Sequence, residues 1–338
     1  MNLEKNQLDT RKADHINLTY KSQVDAENLN QNLVYEPLLS SHENTDLSKA
    51  FLGKRINAPI WISSMTGGTG AARHINQNLA KLANEFGLPM GLGSCRALLE
   101  DNDCFEDFNL RPIIGDDLPF YANLGIAQIE QLLIKDELEK IDRVVSKLKA
   151  DGLIIHVNPL QEALQPEGDR YNMSALEVIT RFLEQKKYKV IIKEVGQGMG
   201  PQSIEALIRL NIDALDFGAF GGTNFSKLEL LRSKNPFDES LMPLVNVGHT
   251  ASQMVHSCKS IINHLGEQAL CREFIISGGI KNFLDGHELM GRLEHNCVYG
   301  QASAFLKYAN DSYEDLKLFT QTQIRGLQIA NQFVRVKK

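Results

Sequence analysis

In the run His156-Val157-Asn158-Pro159-Leu160-Gln161-Glu162, near the middle of this 338-residue chain, four side chains can hold, donate or accept protons. In an extended segment His156 and Asn158 share a face, because side chains alternate along a strand; Gln161 and Glu162 then fall in the loop beyond. Glu162 suits a hard cation, since Mg2+ usually takes one or two protein carboxylates and fills its shell with phosphate oxygens and water. Lys193 interrupts the apolar run Val190-Ile191-Ile192. A lysine aimed into a protein interior is costly unless it meets an anion. It therefore pairs with Glu194 or another strand-end carboxylate, or faces a ligand oxygen or an anionic ring. Glycine-rich turns recur at 65–70 (MTGGTG), 277–280 (SGGI) and 299–303 (YGQAS). Adjacent glycines let backbone approach a planar or anionic group closely, although the first turn also reads as a plain tight connection. Arg11, Lys12 and His15 near the start, with Arg96, are the forks and point charges of diphosphate capture; alone, the first three read as a solvated tail. His74, His249, His256, His264, His287 and His295 form no ligand set at metal-binding spacing, so no transition metal is expected.

These residues need elements to hold them. The first fifty or so residues are polar, weakly periodic and unable to form their own core, an extension assigned to 1–57. From residue 58 onward, short apolar runs alternate with amphipathic stretches. Eight runs read as strands: 58–64, 89–94, 120–125, 152–158, 189–196, 214–222, 272–279 and 295–300. Most are apolar on both faces, as strands buried under helices should be. Between them, 129–148 carries one apolar stripe at helical spacing, and 175–183 and 204–210 repeat the pattern. Strand–helix alternation implies parallel βα units. Eight of them favour closure into a (β/α)8 TIM barrel over 58–338 rather than an open doubly wound sheet. Barrel chemistry sits at the C-terminal strand ends, and here those ends are polar and glycine-rich throughout. The loops after the last two strands are the recurrent phosphate site of such barrels.

Bulk properties narrow the class. A 43% hydrophobic and 23% charged composition is that of an ordinary globular protein large enough to need no structural disulfide or metal. The net charge of −6 argues against non-specific nucleic-acid binding. Five scattered cysteines without a C-x-x-C pair imply a reduced, intracellular protein. With a polar start and no apolar run of membrane-spanning length, a cytoplasmic protein is expected.

RKADH, APIWISSMTGG, GSCRALLED, YANLG, HVNPLQEALQPEGDR, IIKEVGQG, GGTNF and SGGI occur in this order from about residue 11 to residue 306. Together they resemble the type 2 isopentenyl-diphosphate isomerase family, HVNPLQE with the following PEGDR being the most specific element. The resemblance implies an FMN-containing, Mg2+-requiring barrel, a homotetramer or homo-octamer, that converts isopentenyl diphosphate to dimethylallyl diphosphate on reduced flavin without net redox change, with NADPH as the reductant. It also implies roles. Met65, Thr66, Ser94, Asn123, Lys193 and Thr223 match flavin-binding positions, to which the glycine-turn reading adds Gly67; Gly278, Gly279, Gly300 and Ala302 match the flavin phosphate site. Arg11, Lys12, Arg96, His156 and Gln161 match substrate positions, with Asn158 joined to them by its shared face with His156, and Glu162 matches the Mg2+ ligand. Gln161 and Lys193 carry the catalytic expectations, proton relay or orientation and stabilisation of the flavin anion. The family's W-G-I-P-T stretch is replaced by NVGHTA at 246–251, which puts a flavin contact from Thr250 in question. Two rival readings are an FMN-dependent 2-hydroxy-acid oxidoreductase-like barrel, which would need a His–Arg pair at later strand ends, and a non-catalytic binder of phosphorylated ligands.

Overall fold

The computed structural model describes residues 2–43, 45–63, 67, 70–100 and 104–337, with backbone alone for 2–9 and 70–71. Eight parallel strands close into a barrel: β1 Ile60–Ser63, β2 Met90–Gly91, β3 Phe120–Gly125, β4 Gly152–Val157, β5 Lys189–Glu194, β6 Ala214–Asp216, β7 Glu273–Ser277 and β8 Asn296–Gln301. β8 pairs with β1, and β6 with β7. All eight expected strands are present, each within its expected run or one residue beyond it. The (β/α)8 barrel follows, and the open sheet is ruled out by the β8–β1 pairing. Each strand is buried because helices cover its outer face, which is why the sequence reads as continuous apolar runs.

The stripe at 129–148 is not one helix. It forms Ile126–Ile134 and Glu139–Lys147, separated by a turn. Asp136 takes the left-handed conformation (φ 55°), Glu137 N–H bonds Leu132 O at 2.9 Å and Asp136 N–H bonds Leu133 O at 3.2 Å. That is the Schellman way of ending a helix. The second helix restarts in phase, burying Ile141, Val144 and Val145, so periodicity alone does not reveal the break. Helix Ala175–Leu183 has the expected bounds, and its Ser174 cap accepts from Glu177 N–H. Helix Pro201–Ile208 starts earlier than expected, with proline in its first turn, where a missing N–H costs nothing.

The N-terminal residues form a helix, Asn2–Leu18, exposed from Thr10 on. Strand Leu33–Tyr35 then pairs antiparallel with Val334–Val336 near the C-terminus. A hairpin of Lys49–Phe51 and Lys54–Ile56 follows, its two-residue turn, Leu52-Gly53, holding both residues at positive φ as hairpin twist prefers. Phe51 and Ile56 enter the N-terminal end of the barrel and pack with Trp61, Tyr121, Ile154, Ile191, Ala214, Ile275 and Val298. This floor is an apolar plug. Among the described residues no helix is long and apolar enough to cross a membrane. Burial pushes the Cys95 and Cys271 thiols up to about 12, which marks them as packing residues.

Candidate active site

A cleft of about 690 Å³ opens at the C-terminal end of the barrel. Its centre is set by strand register. Gly125, His156, Lys193 and Asp216 are successive partners across β3, β4, β5 and β6, so the last three side chains stand in a row on the inner face.

The imidazole of His156 is fixed by its neighbour. Asn123 donates its amide N–H to Leu92 O at 2.9 Å, which turns its Oδ1 toward His156 Nδ1 at 2.8 Å. That acceptor assigns the proton to Nδ1 and leaves Nε2 as an acceptor. Burial, and then the Lys193 ammonium, push the pKa of His156 down to about 4. His156 is a neutral base of fixed tautomer.

Lys193 does not pair with the Glu194 carboxylate. Its Nζ donates to the Glu194 main-chain oxygen at 2.9 Å and lies 3.6 Å from Asp216 Oδ2. Of the readings open from sequence, the strand-end carboxylate is therefore one observed partner, and Lys193 also faces the cleft. Asp216 is fully buried, its Oδ1 accepting from the Ser277 hydroxyl, while Oδ2 has no hydrogen-bond partner. The Glu194 side chain serves the backbone: its Oε2 accepts N–H from Gly196, Gln197 and Gly198 at 2.6, 2.7 and 2.8 Å.

Beyond β4, Pro159 starts the short helix Pro159–Leu164, which carries Gln161 and Glu162. The buried Asn158 amide donates to Gln161 Oε1 at 3.0 Å and Glu162 Oε1 at 2.9 Å. Gln161 in turn donates to Glu229 Oε1 at 3.0 Å, so both ends of its amide are assigned. The Asp169 main-chain N–H holds the other oxygen of Glu162 at 2.7 Å.

The opposite wall is mostly backbone. Gly221, Gly222, Gly278, Gly279 and Gly300 line it, and helix Ser303–Asp311 begins there, with no side chain capping its first turn. Gly278 has φ 87°, and a Cβ on it would collide with the Ala219 backbone. Only glycine fits. Unpaired helix-start N–H groups and a glycine cradle make an anion site, and Lys281 and Lys307 add cations beside it.

Thirteen expected residues line this cleft: Ser94, Arg96, Asn123, His156, Asn158, Gln161, Glu162, Lys193, Thr223, Gly278, Gly279, Gly300 and Ala302. Gly67 is half-buried but outside the lining. Met65 and Thr66 lie outside the described residues. Arg11 and Lys12 are exposed on the N-terminal helix and do not line the cleft. Thr250 caps helix Ala251–Leu265 in a capping box with Gln253 and is not a lining residue. Sequence reasoning passed over Asp216, Gln128, Asp169 and Glu229. Asp216 closes an apolar run, a signal as visible as that of Lys193; Glu229 lies in a helix whose sequence shows none.

A buried polar atom left without a hydrogen bond is expensive, yet Ser63 Oγ and Gln301 Oε1 in the lining, and Asp216 Oδ2 behind it, have no hydrogen-bond partner. Together with the glycine cradle, they fit a polar planar group bearing a phosphate. For a metal, Glu162 stands without two further His, Cys, Asp or Glu ligands among the described residues. That suits only an ion completed by ligand oxygens.

No protein-family model matches the sequence. The chain is 35% identical over 323 residues to the isopentenyl-diphosphate delta-isomerase of Rickettsia peacockii (strain Rustic), covering 93% of this chain and 89% of that protein. It is 36% identical over 273 residues to the enzyme of the same name from Rickettsia canadensis (strain McKiel), covering 80% and 76%. Similar solved structures include a mutant flavocytochrome b2 with pyruvate bound (TM-score 0.62, 13% identity, 89% of this chain and 72% of that one). A mandelate oxidase mutant with a monooxide FMN adduct is also similar (TM-score 0.56, 10% identity, 91% and 89%). At such low identity these structures speak for the barrel fold alone. The Rickettsia matches exceed 30% identity and cover 80–93% of this chain and 76–89% of those proteins: the chain belongs to the isopentenyl-diphosphate delta-isomerase family.

Proposed function

We propose that the chain interconverts isopentenyl diphosphate and dimethylallyl diphosphate with reduced FMN in its cleft. The observation that carries this reading is the set of His156 and Lys193 at the strand ends with Gln161 on the helix beyond them, in one cleft with a glycine-built anion wall. FMN would be held by the glycine cradle at its phosphate and by Ser94, Asn123, Thr223 and Lys193 along its length, with Met65, Thr66 and Gly67 as further expected contacts. When bound and reduced by NADPH, it supplies an electron-rich ring that exchanges protons with an alkene without net oxidation.

The remaining roles belong to the chain. Arg96 and neutral His156 Nε2 bind the diphosphate end, as anion fork and as partner of a protonated phosphate oxygen or bound water. Asn158 sets both Gln161 and Glu162. Gln161, with its amide orientation fixed by Asn158 and Glu229, orients the reacting carbons at the proton-transfer position. Glu162 would hold Mg2+, which would supply positive charge to offset that of the diphosphate. Lys193, backed by Asp216, would offset negative charge on a reduced flavin, a preorganised electrostatic contribution. Arg11 and Lys12 would complete diphosphate capture from the N-terminal helix, in a homotetramer or homo-octamer.

A 2-hydroxy-acid oxidoreductase would need a His–Arg pair at the ends of β7 and β8; those ends supply glycine, Ile280, Lys281 and Ala302. A mere binder leaves the Asn158–Gln161–Glu229 chain without purpose. The test is anaerobic incubation of purified protein with isopentenyl diphosphate, FMN, NADPH and Mg2+. Formation of dimethylallyl diphosphate is expected. Bound, reduced flavin without product would sink the isomerase reading, and a colourless protein that refuses FMN would sink the flavin reading too.

A further inference from the structure

The loop after helix Pro159–Leu164 folds back on that helix. Gly168 makes this possible, since a Cβ there would overlap the Glu162 carbonyl. Arg170 fastens the return by donating to the main-chain oxygen of Glu162 and, at 3.2 Å, to that of Gly168. The fold-back delivers Asp169 to a junction of three strand ends. Its main-chain N–H holds Glu162 Oε2 at 2.7 Å, while its Oδ2 accepts from Arg96 Nη1 at 2.6 Å and Gln128 Nε2 at 2.8 Å. The Asp169 side chain is 18% exposed and that of Arg96 59% exposed. Arg96 lines the cleft and Asp169 does not.

We propose that Asp169 is a positioning residue for substrate capture: its carboxylate holds Arg96 over the cleft through Nη1, leaving the other guanidinium N–H groups for a phosphate oxygen. This rests on the reading of Arg96 as a diphosphate ligand. A long arginine loses much rotamer freedom when a ligand fixes it, and a tether removes part of that loss before the ligand arrives. Against this, the pair neutralises some of the charge of Arg96. A partly exposed pair is weak, so its competition with the ligand is weak and ordering wins. Gln128 donates to the same carboxylate oxygen, so the tether is itself held and does not swing with the arginine.

The test is anaerobic steady-state kinetics of the flavin-loaded full chain, reduced with NADPH, with isopentenyl diphosphate and Mg2+, for wild type, Asp169→Asn, Asp169→Glu, Arg96→Ala and the Asp169→Asn/Arg96→Ala double variant. Asparagine keeps the main-chain N–H to Glu162 and removes only the charge. Expected is a KM about two- to fivefold higher for Asp169→Asn, the scale of one ion pair at a partly exposed site. In this variant kcat, flavin occupancy and the Mg2+ half-saturation stay near wild type. Asp169→Glu recovers most of the loss, and the double variant is no worse than Arg96→Ala. An unchanged or lower KM for Asp169→Asn overturns the proposal, as does multiplication of the two single effects. A shifted Mg2+ requirement at constant KM overturns it in favour of a metal ligand. If Arg96→Ala itself leaves KM unchanged, the functional reading of Arg96 fails and the proposal falls with it, a result separable from failure at Asp169 alone.

Discussion

The two ends of the barrel are built on opposite rules. At the N-terminal floor, Phe51 and Trp61 meet edge to face at 6.3 Å between ring centres, and apolar side chains from six further strands fill the remaining space. Charged groups at that end are paired: Asp151 takes Lys54 at 2.5 Å and Arg111 at 2.9 Å, and Glu273 Oε2 accepts from Leu52 N–H at 2.7 Å. At the C-terminal mouth, a lysine, a buried aspartate and a neutral histidine crowd one row, and several polar atoms have no hydrogen-bond partner. The floor satisfies its local demands for stability almost throughout, the buried Tyr121 hydroxyl being the exception. The mouth leaves demands open, and those are the ones a ligand can meet.

The contrast can be broken from either end. Phe51→Ala empties the plug and should lower stability by about 3–5 kcal/mol, the cost of deleting a buried aromatic. Denaturant melts would measure it, and KM in the folded protein should barely move. A small loss would mean that the hairpin merely rests on the barrel. Gln161→Ala, at the mouth, should leave stability and flavin binding near wild type while turnover falls at least about 100-fold, the lower range for loss of a proton-transfer group. Retention of full turnover would remove Gln161 from the mechanism.

Sequence carried the fold well because its signal is distributed. Eight apolar runs separated by helical stripes survive an error in any one, as the split of 129–148 at Asp136 illustrates. The strand-end chemistry was also legible, since a lysine directly after Val190–Ile192 or a glycine pair beyond Ile276 stands out against apolar neighbours. What stayed hidden was partnership. Nothing in the sequence pairs Lys193 with Asp216, 23 residues away, because that contact is created by the register between β5 and β6. Glu229 meets Gln161, and Asp169 meets Arg96, only after separate loops fold over the mouth. The assignment of isomerase chemistry came from the order of the motifs, which periodicity cannot supply.

The finest probe of the contrast is acid. His156 titrates near pH 4 in the folded protein, through burial and the Lys193 charge, against about 6.5 when free. Between those values the unfolded chain binds the extra proton, so the contribution of His156 is complete above about pH 6.5 and is lost as pH falls toward 4. At about 1.36 kcal/mol per unit, that amounts to at most roughly 3 kcal/mol, reduced by solvent in the open cleft. His287 and His295 are also depressed by burial, so the acid slope of wild type alone is not specific. The difference between wild type and His156→Asn isolates the mouth: the variant should lose less stability from pH 6.5 to 4 in denaturant titrations. Parallel slopes would mean that His156 accepts its proton as readily folded as unfolded. The row beside Lys193 would then be wetter and less strained than the floor–mouth contrast requires.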